Sequence, residues 1–99
     1  MKVQIEIDDN LIHSQILSAI DAGIYYWASE FKSKKNKKGL IVGGTVTEGD
    51  TGKELKLDIK KALQLAVERC PRILDINRMD AETGDLFVQY AVFGEAKYG

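Results

Sequence analysis

Proline, cysteine and histidine each occur once in this 99-residue chain, as Pro71, Cys70 and His13. A single cysteine excludes an internal disulfide framework and suits a reducing compartment. One histidine and one cysteine far apart in sequence do not make a zinc site, and no acidic loop has the spacing of a calcium-binding hand. No apolar run approaches the roughly 20 residues that a membrane span needs, and the start of the chain has no secretory-leader pattern. Basic and acidic residues nearly cancel, 14 against 15, for a net charge of −1. Whole-domain affinity for nucleic acid is therefore not expected, and neither is membrane contact.

Catalytic groups are equally scarce. His13 falls in the first turn of a helical pattern beside Asp9 and Asn10, where a histidine serves as a surface or capping residue. Ser14 is its neighbour, but adjacent helical residues point in different directions, so no nucleophile–base pair follows. Cys70 closes an apolar stripe and reads as a structural thiol. The stretch Gly49-Asp50-Thr51-Gly52-Lys53 ends in Gly-Lys, yet Thr47 stands where a phosphate loop has its first glycine and Glu54 where it has Ser or Thr. A hairpin turn explains it better. The expectation is a protein that is not an enzyme, with no metal site and no cofactor.

What is present is an ordinary globular composition, 44% hydrophobic and 29% charged, in one domain spanning 1–99. Val3, Ile5 and Ile7 alternate with Lys2, Gln4 and Glu6, the period of a half-buried strand. Asp8 or Asp9 can cap the helix that follows, with Leu11, Ile12, Ile16 and Ala19 or Ile20 as its apolar positions and Gly23 as its stop. Ile24–Phe31 reads as an aromatic strand, with Tyr25, Trp27 and Ser29 on one face. The lysines that follow belong in a loop or a strand end in water.

Leu40–Thr47 and Glu54–Leu57 read as two strands joined by a turn at 48–53, and Gly43-Gly44 suggests a bulge or a close approach. Asp58 caps a second helix whose stripe is Ile59, Leu63, Ala66 or Val67, and Cys70. Arg72–Met79 reads as a short helix. Asp80 or Thr83 caps the last helix, in which Leu86, Tyr90 and Phe93 recur, Gly94 ends it, and Glu95–Tyr98 could add an edge strand. The order predicts an α+β fold, a small antiparallel sheet with helices packed on one face. Trp27 or Tyr26, Leu63, Val67, Leu86 and Phe87 are its expected core.

Two features remain after the structural explanations are exhausted. Tyr25-Tyr26-Trp27 sets three aromatics in a row, so at least one must face away from the core. The plain account is a core tryptophan flanked by tyrosines at a sheet edge; the functional one is a shelf for a base or a partner. Five lysines then crowd into residues 32–38, whereas residues 1–31 hold one lysine against five acids. The run is either a solvated hairpin tip or the charged half of a site for a phosphorylated heterocycle. In the second case Tyr25 or Trp27 would stack on the base, and Lys34, Lys35 or Lys38 would neutralise phosphate.

The ends of these patterns also carry a resemblance. Ala22-Gly23-Ile24-Tyr25-Tyr26-Trp27 follows the first helix, and the chain closes on Gln89-Tyr90-Ala91-Val92-Phe93-Gly94-Glu95-Ala96-Lys97-Tyr98-Gly99. This resembles a widespread group of small proteins of tailed bacteriophages and prophages, which have Tyr-Trp after a helix and a closing Gln-x-Ala-x-Phe-Gly-Glu-x-x-Tyr-Gly. Ala22 departs from the Gly-Gly pair those proteins carry, and residues 32–52 match loosely. The resemblance implies an accessory protein of the host bacterial cytoplasm, directed against bacterial immunity. One such class sequesters a cyclic-oligonucleotide or cyclic-ADP-ribose type of signal without catalysis, often between identical subunits, so a homo-oligomer is expected and Tyr98 joins the candidate ligand-binding residues. The alternatives are a protein-binding inhibitor of a host defence or regulatory protein, and a minor phage structural accessory.

Overall fold

The first helix, α1 (Asp9–Ser18), buries Leu11, Ile12, Gln15 and Ile16, the positions that a helix of 3.6 residues per turn brings to one side. A computed structural model describes residues 9–75, 77 and 80–99, the side chain of Ala22 excepted. The expected strand at Lys2–Ile7 and the possible cap Asp8 lie outside the described residues. α1 runs on into one π-helical turn, Ala19–Gly23. Gly23 stops it against the last helix, where a Cβ at residue 23 would stand 2.6 Å from the Ala81 carbonyl oxygen.

Three antiparallel strands follow: β1 (Ala28–Lys35), β2 (Ile41–Glu48) and β3 (Glu54–Lys56), in the spatial order β1-β2-β3. The β1–β2 tip is closed by the Asn36 side chain, whose Oδ1 accepts from the Lys38 and Leu40 amides, with Gly39 at φ 80°. Gly44 sits at φ 153°, and a side chain there would run into the Lys32 carbonyl and the Phe31 ring. This is the close backbone approach expected of the Gly-Gly pair.

Asp58 caps α2 (Ile59–Arg69) by accepting from the Lys61 amide at 3.1 Å. A 3₁₀ turn at Pro71–Leu74 follows. Asp80 and Thr83 form a reciprocal capping box on α3 (Ala81–Phe93), which ends at Gly94 in the left-handed conformation, φ 71°. α3 is the centre of the molecule. It packs on α1, on the π turn and on α2, and buries Phe87, Val88, Tyr90 and Ala91. One hydrophobic cluster joins these to Ile16, Ile24, Trp27, Ile41, Val46 and Leu57, so sheet and helices share a core in an α+β fold. Each large apolar side chain fully buried there contributes about 1.5–3 kcal/mol.

Several expectations need correction. Ile24–Trp27 is a turn, with the Trp27 and Ala28 amides donating to the Ile24 carbonyl, and the strand begins only at Ala28. Burial follows an i, i+3 pair and not the alternation of a strand: Ile24 and Trp27 go in, Tyr25 and Tyr26 stay out. Val67 is 48% exposed; Ala62 and Ala66 are buried on α2 instead, while Leu63 and Leu86 pack on the core's margin. Small residues at that seam let α2 and α3 approach closely. Pro71–Leu74 is a 3₁₀ turn rather than the start of a longer helix, residues 76, 78 and 79 lying outside the description. Glu95–Tyr98 adds no strand. It is an extended tail fastened by side chains.

Candidate functional site: an aromatic–acidic cluster at the start of the last helix

The two segments that carry the sequence resemblance meet in space. The turn after Gly23 delivers Tyr26 and Trp27 to the side of α3 that presents Asp85 and Gln89, one helical turn apart. Asp85 accepts from Trp27 Nε1 at 2.7 Å and from Gln89 Nε2 at 2.8 Å, both on Oδ1, and from the Tyr26 hydroxyl at 2.5 Å on Oδ2. Partial burial, then the hydrogen bond and charge of Asp85, push the Tyr26 phenol up to about 12. Tyr26 therefore stays a neutral donor. Among the described residues no cation pairs with Asp85.

The C-terminal tail closes over the other side of Trp27. Tyr98 stacks on the indole with ring centres 5.5 Å apart and planes within 4°, and Phe93 tilts against both rings. Gln89 holds the tail's backbone in both directions, donating to the Tyr98 carbonyl at 3.2 Å and accepting from its amide at 2.8 Å. The Tyr98 hydroxyl and Lys97 Nζ both donate to Glu48 Oε2 at the end of β2, while Thr51 donates to Oε1. Hydrogen bonds from Lys97, then Tyr98, then Thr51 bring the buried Glu48 carboxyl down to about 2.

Beside this cluster opens a cavity of about 610 Å³, whose wall includes Gly23, Tyr26, Glu82, Asp85, Leu86 and Tyr98. Glu82 and Asp85 are three residues apart on α3 and so share a face. The cavity is acidic and aromatic, and no lysine contributes to its wall.

The sequence candidates divide accordingly. Trp27 and Tyr98 come together, but on each other: the indole is only 5% exposed and one of its faces is covered by the tyrosine. Tyr25 is 50% and Tyr26 60% exposed, and these are the rings available to a partner. Lys34 and Lys35 lie at the far end of β1 and Lys38 in the hairpin tip beyond it, all exposed. The six residue steps from Ala28 to Lys34 span about 20 Å, more than one stacked base with its phosphate bridges. Within one chain, rings and lysines are not one site.

His13 and Cys70 are placed apart from the cluster. His13 Nδ1 accepts the Ile41 amide at 2.9 Å and so ties α1 to β2. Cys70 is half-buried at the end of α2. No group of three or more His, Cys, Asp or Glu side chains among the described residues could hold a metal ion, and no helix there is long and apolar enough to cross a membrane. Sequence reasoning missed Asp85, Gln89, Glu48 and Lys97. For the first two a signal existed: polar residues at i and i+4 inside an otherwise apolar helix need a buried partner. No protein-family model, curated protein or solved structure matches this chain.

Proposed function

We propose that this chain is a non-catalytic binding protein of the phage accessory kind, which captures a host protein at the pocket beside Tyr26 in the cytoplasm of the infected cell. The observation that carries the reading is the pocket's chemistry. The exposed Tyr26 and the half-buried Tyr98 line a concave wall that bears two carboxylates and no lysine, and the exposed Tyr25 adjoins Tyr26 in the chain. Exposed aromatic anchors next to a pocket are what protein interfaces use as hot spots, each worth 2 kcal/mol or more. A phosphate brought to about 5 Å from either carboxylate would meet a repulsion of about 3 kcal/mol at an effective dielectric of about 20. His13 and Cys70, each in a structural setting, favour action by binding over action by chemistry.

Sequestration of a phosphorylated nucleotide signal is the second reading, and one observation favours it. Among the described residues β1 is paired on one side only, and its lysines crowd one end. Antiparallel pairing of two copies along that edge would set Lys34 and Lys35 of one beside the Tyr25–Trp27 end of the other. Homo-oligomerisation therefore belongs to this reading.

Calorimetry against cyclic di- and trinucleotides and cyclic ADP-ribose isomers, run beside affinity capture from infected cells with wild type and Tyr26→Ala, separates the two. The protein-binding reading expects no nucleotide tighter than the micromolar range. It also expects one host protein retained stoichiometrically by wild type and lost from the variant. Sub-micromolar nucleotide binding by a dimer overturns it in favour of sequestration.

A further inference from the structure

We infer that the pocket beside Tyr26 is an arginine-accepting site, filled by a guanidinium group projecting from a basic segment of the partner; this rests on the protein-binding reading above and names the chemistry the partner must bring. The argument is an inventory of lone pairs. An ionised carboxylate offers about four acceptor positions. Asp85 spends two on Oδ1, for Trp27 and Gln89, and one on Oδ2, for Tyr26, which leaves one on Oδ2 of a residue that lines the pocket. Glu82 Oε1 accepts from Arg72 Nη2 at 2.9 Å, whereas Oε2 accepts from nothing among the described residues. Two carboxylate acceptors on one helix face are thus left for an incoming donor pair.

The three donors already on Asp85 are all neutral, so its negative charge stands uncompensated beside a ring that is 60% exposed. A planar cation with several donors suits this combination. It can bond two acceptors while its flat face lies on Tyr26, and its carbon stem can run over Leu86 and Ala81. An ammonium group has neither the fork nor the flat face. The chain supplies its own precedent on the rim, since Arg72 already places a guanidinium on Glu82. That contact is solvent-exposed on both sides, so it competes weakly and can be displaced.

Trp27 is the sole tryptophan, and its indole N–H bonds directly to Asp85, so a single nuclear-magnetic-resonance signal reports on the site. The full chain is titrated with capped arginine, capped lysine and capped citrulline, the last a neutral isostere of arginine. Arginine should shift the indole signal saturably and citrulline should not. Glu82→Gln should weaken the arginine response about three- to fivefold, and Arg72→Ala, which removes the competitor, should strengthen it by a similar factor. Both positions are exposed, so neither variant threatens the fold.

A citrulline response equal to that of arginine, lysine binding as tightly as arginine, or no saturable shift even in Arg72→Ala overturns the assignment. If the capped amino acids fail while Tyr26-dependent capture of a host protein holds, this inference alone falls. If arginine binds and no protein is captured, it is the protein-binding reading that fails.

Discussion

Gly84 is where the packing of the molecule makes its sharpest prediction. In an exposed helix interior, replacing glycine by alanine stabilises by about 1 kcal/mol, because alanine loses less backbone freedom on folding. Gly84 lies within α3, where a Cβ would stand 2.7 Å from the Ala19 amide nitrogen, 2.7 Å from the Gln15 carbonyl oxygen and 3.0 Å from the Ser18 Cβ. Two of the three obstacles are backbone, so no rotamer change relieves them and α1 must move off α3. Overpacking of this sort costs about 3 kcal/mol at the upper end of its usual range, leaving a net loss of about 2 kcal/mol for Gly84→Ala. For a domain of this length that lowers Tm by roughly 8–16 °C. Gly43→Ala is the matched control, since a Cβ there meets nothing within 4 Å among the described residues and the residue is not at positive φ. It should raise Tm by a few degrees. Thermal unfolding followed by Trp27 fluorescence and by circular dichroism reads both. A Gly84→Ala protein as stable as wild type would mean that α1 and α3 do not cross at Gly84, and the placement of the π turn and the pocket wall would fall with it.

Two further predictions concern the polar cluster. Asp85→Ala takes an acceptor from three donors; Gln89 keeps the Tyr98 carbonyl and Tyr26 is exposed, but the buried Trp27 N–H is left unpaired, so the variant should lose about 1–3 kcal/mol in urea unfolding. Asp85→Asn keeps an acceptor for two of them and should lose about half as much; equal losses would refute the assigned hydrogen bonds. Glu48 has a folded-state pKa of about 2, below the ordinary carboxylate value, so its share of the stability is present above pH 4.5 and drains away as pH falls towards 2. Glu48→Gln should flatten acid unfolding between pH 4.5 and 2, and an unchanged acid profile would show that the tail is not held there.

Much of the fold was legible because it rests on local physics. The Asp58 cap, a cap at Asp80 or Thr83, the Gly94 stop and the 48–53 turn all follow from backbone groups that need partners or from φ values that need glycine. Errors arose where one pattern serves two structures. Ile24 and Trp27 are both buried in a turn, although a run such as Tyr25-Tyr26-Trp27 has the aromatic composition of a strand. Val67 lost its place to Ala66 because the closeness of two helices, invisible in a single stripe, decides which side of the stripe is covered. The candidate site was half legible. Tyr26, Trp27 and Tyr98 stood out as aromatics, but their acceptors Asp85 and Glu48 are ordinary acids in sequence, and pairing across 50 residues or more leaves no local trace. The lysine run stood out for its charge and lies at the other end of the sheet.

The central claim is that partners are met at the Tyr25–Tyr26 end of the molecule and not at the lysine end. Tyr25 is exposed and has no hydrogen bond among the described residues, so a photo-crosslinking phenylalanine analogue can replace it without disturbing Tyr26 or Asp85. The same analogue at Lys34 is the counterpart, on an exposed residue towards the opposite end of β1. Irradiation in infected cells should give one discrete host-protein adduct from position 25 and none from position 34. An adduct from position 34 alone, or a nucleotide crosslinked at either position, would contradict the account.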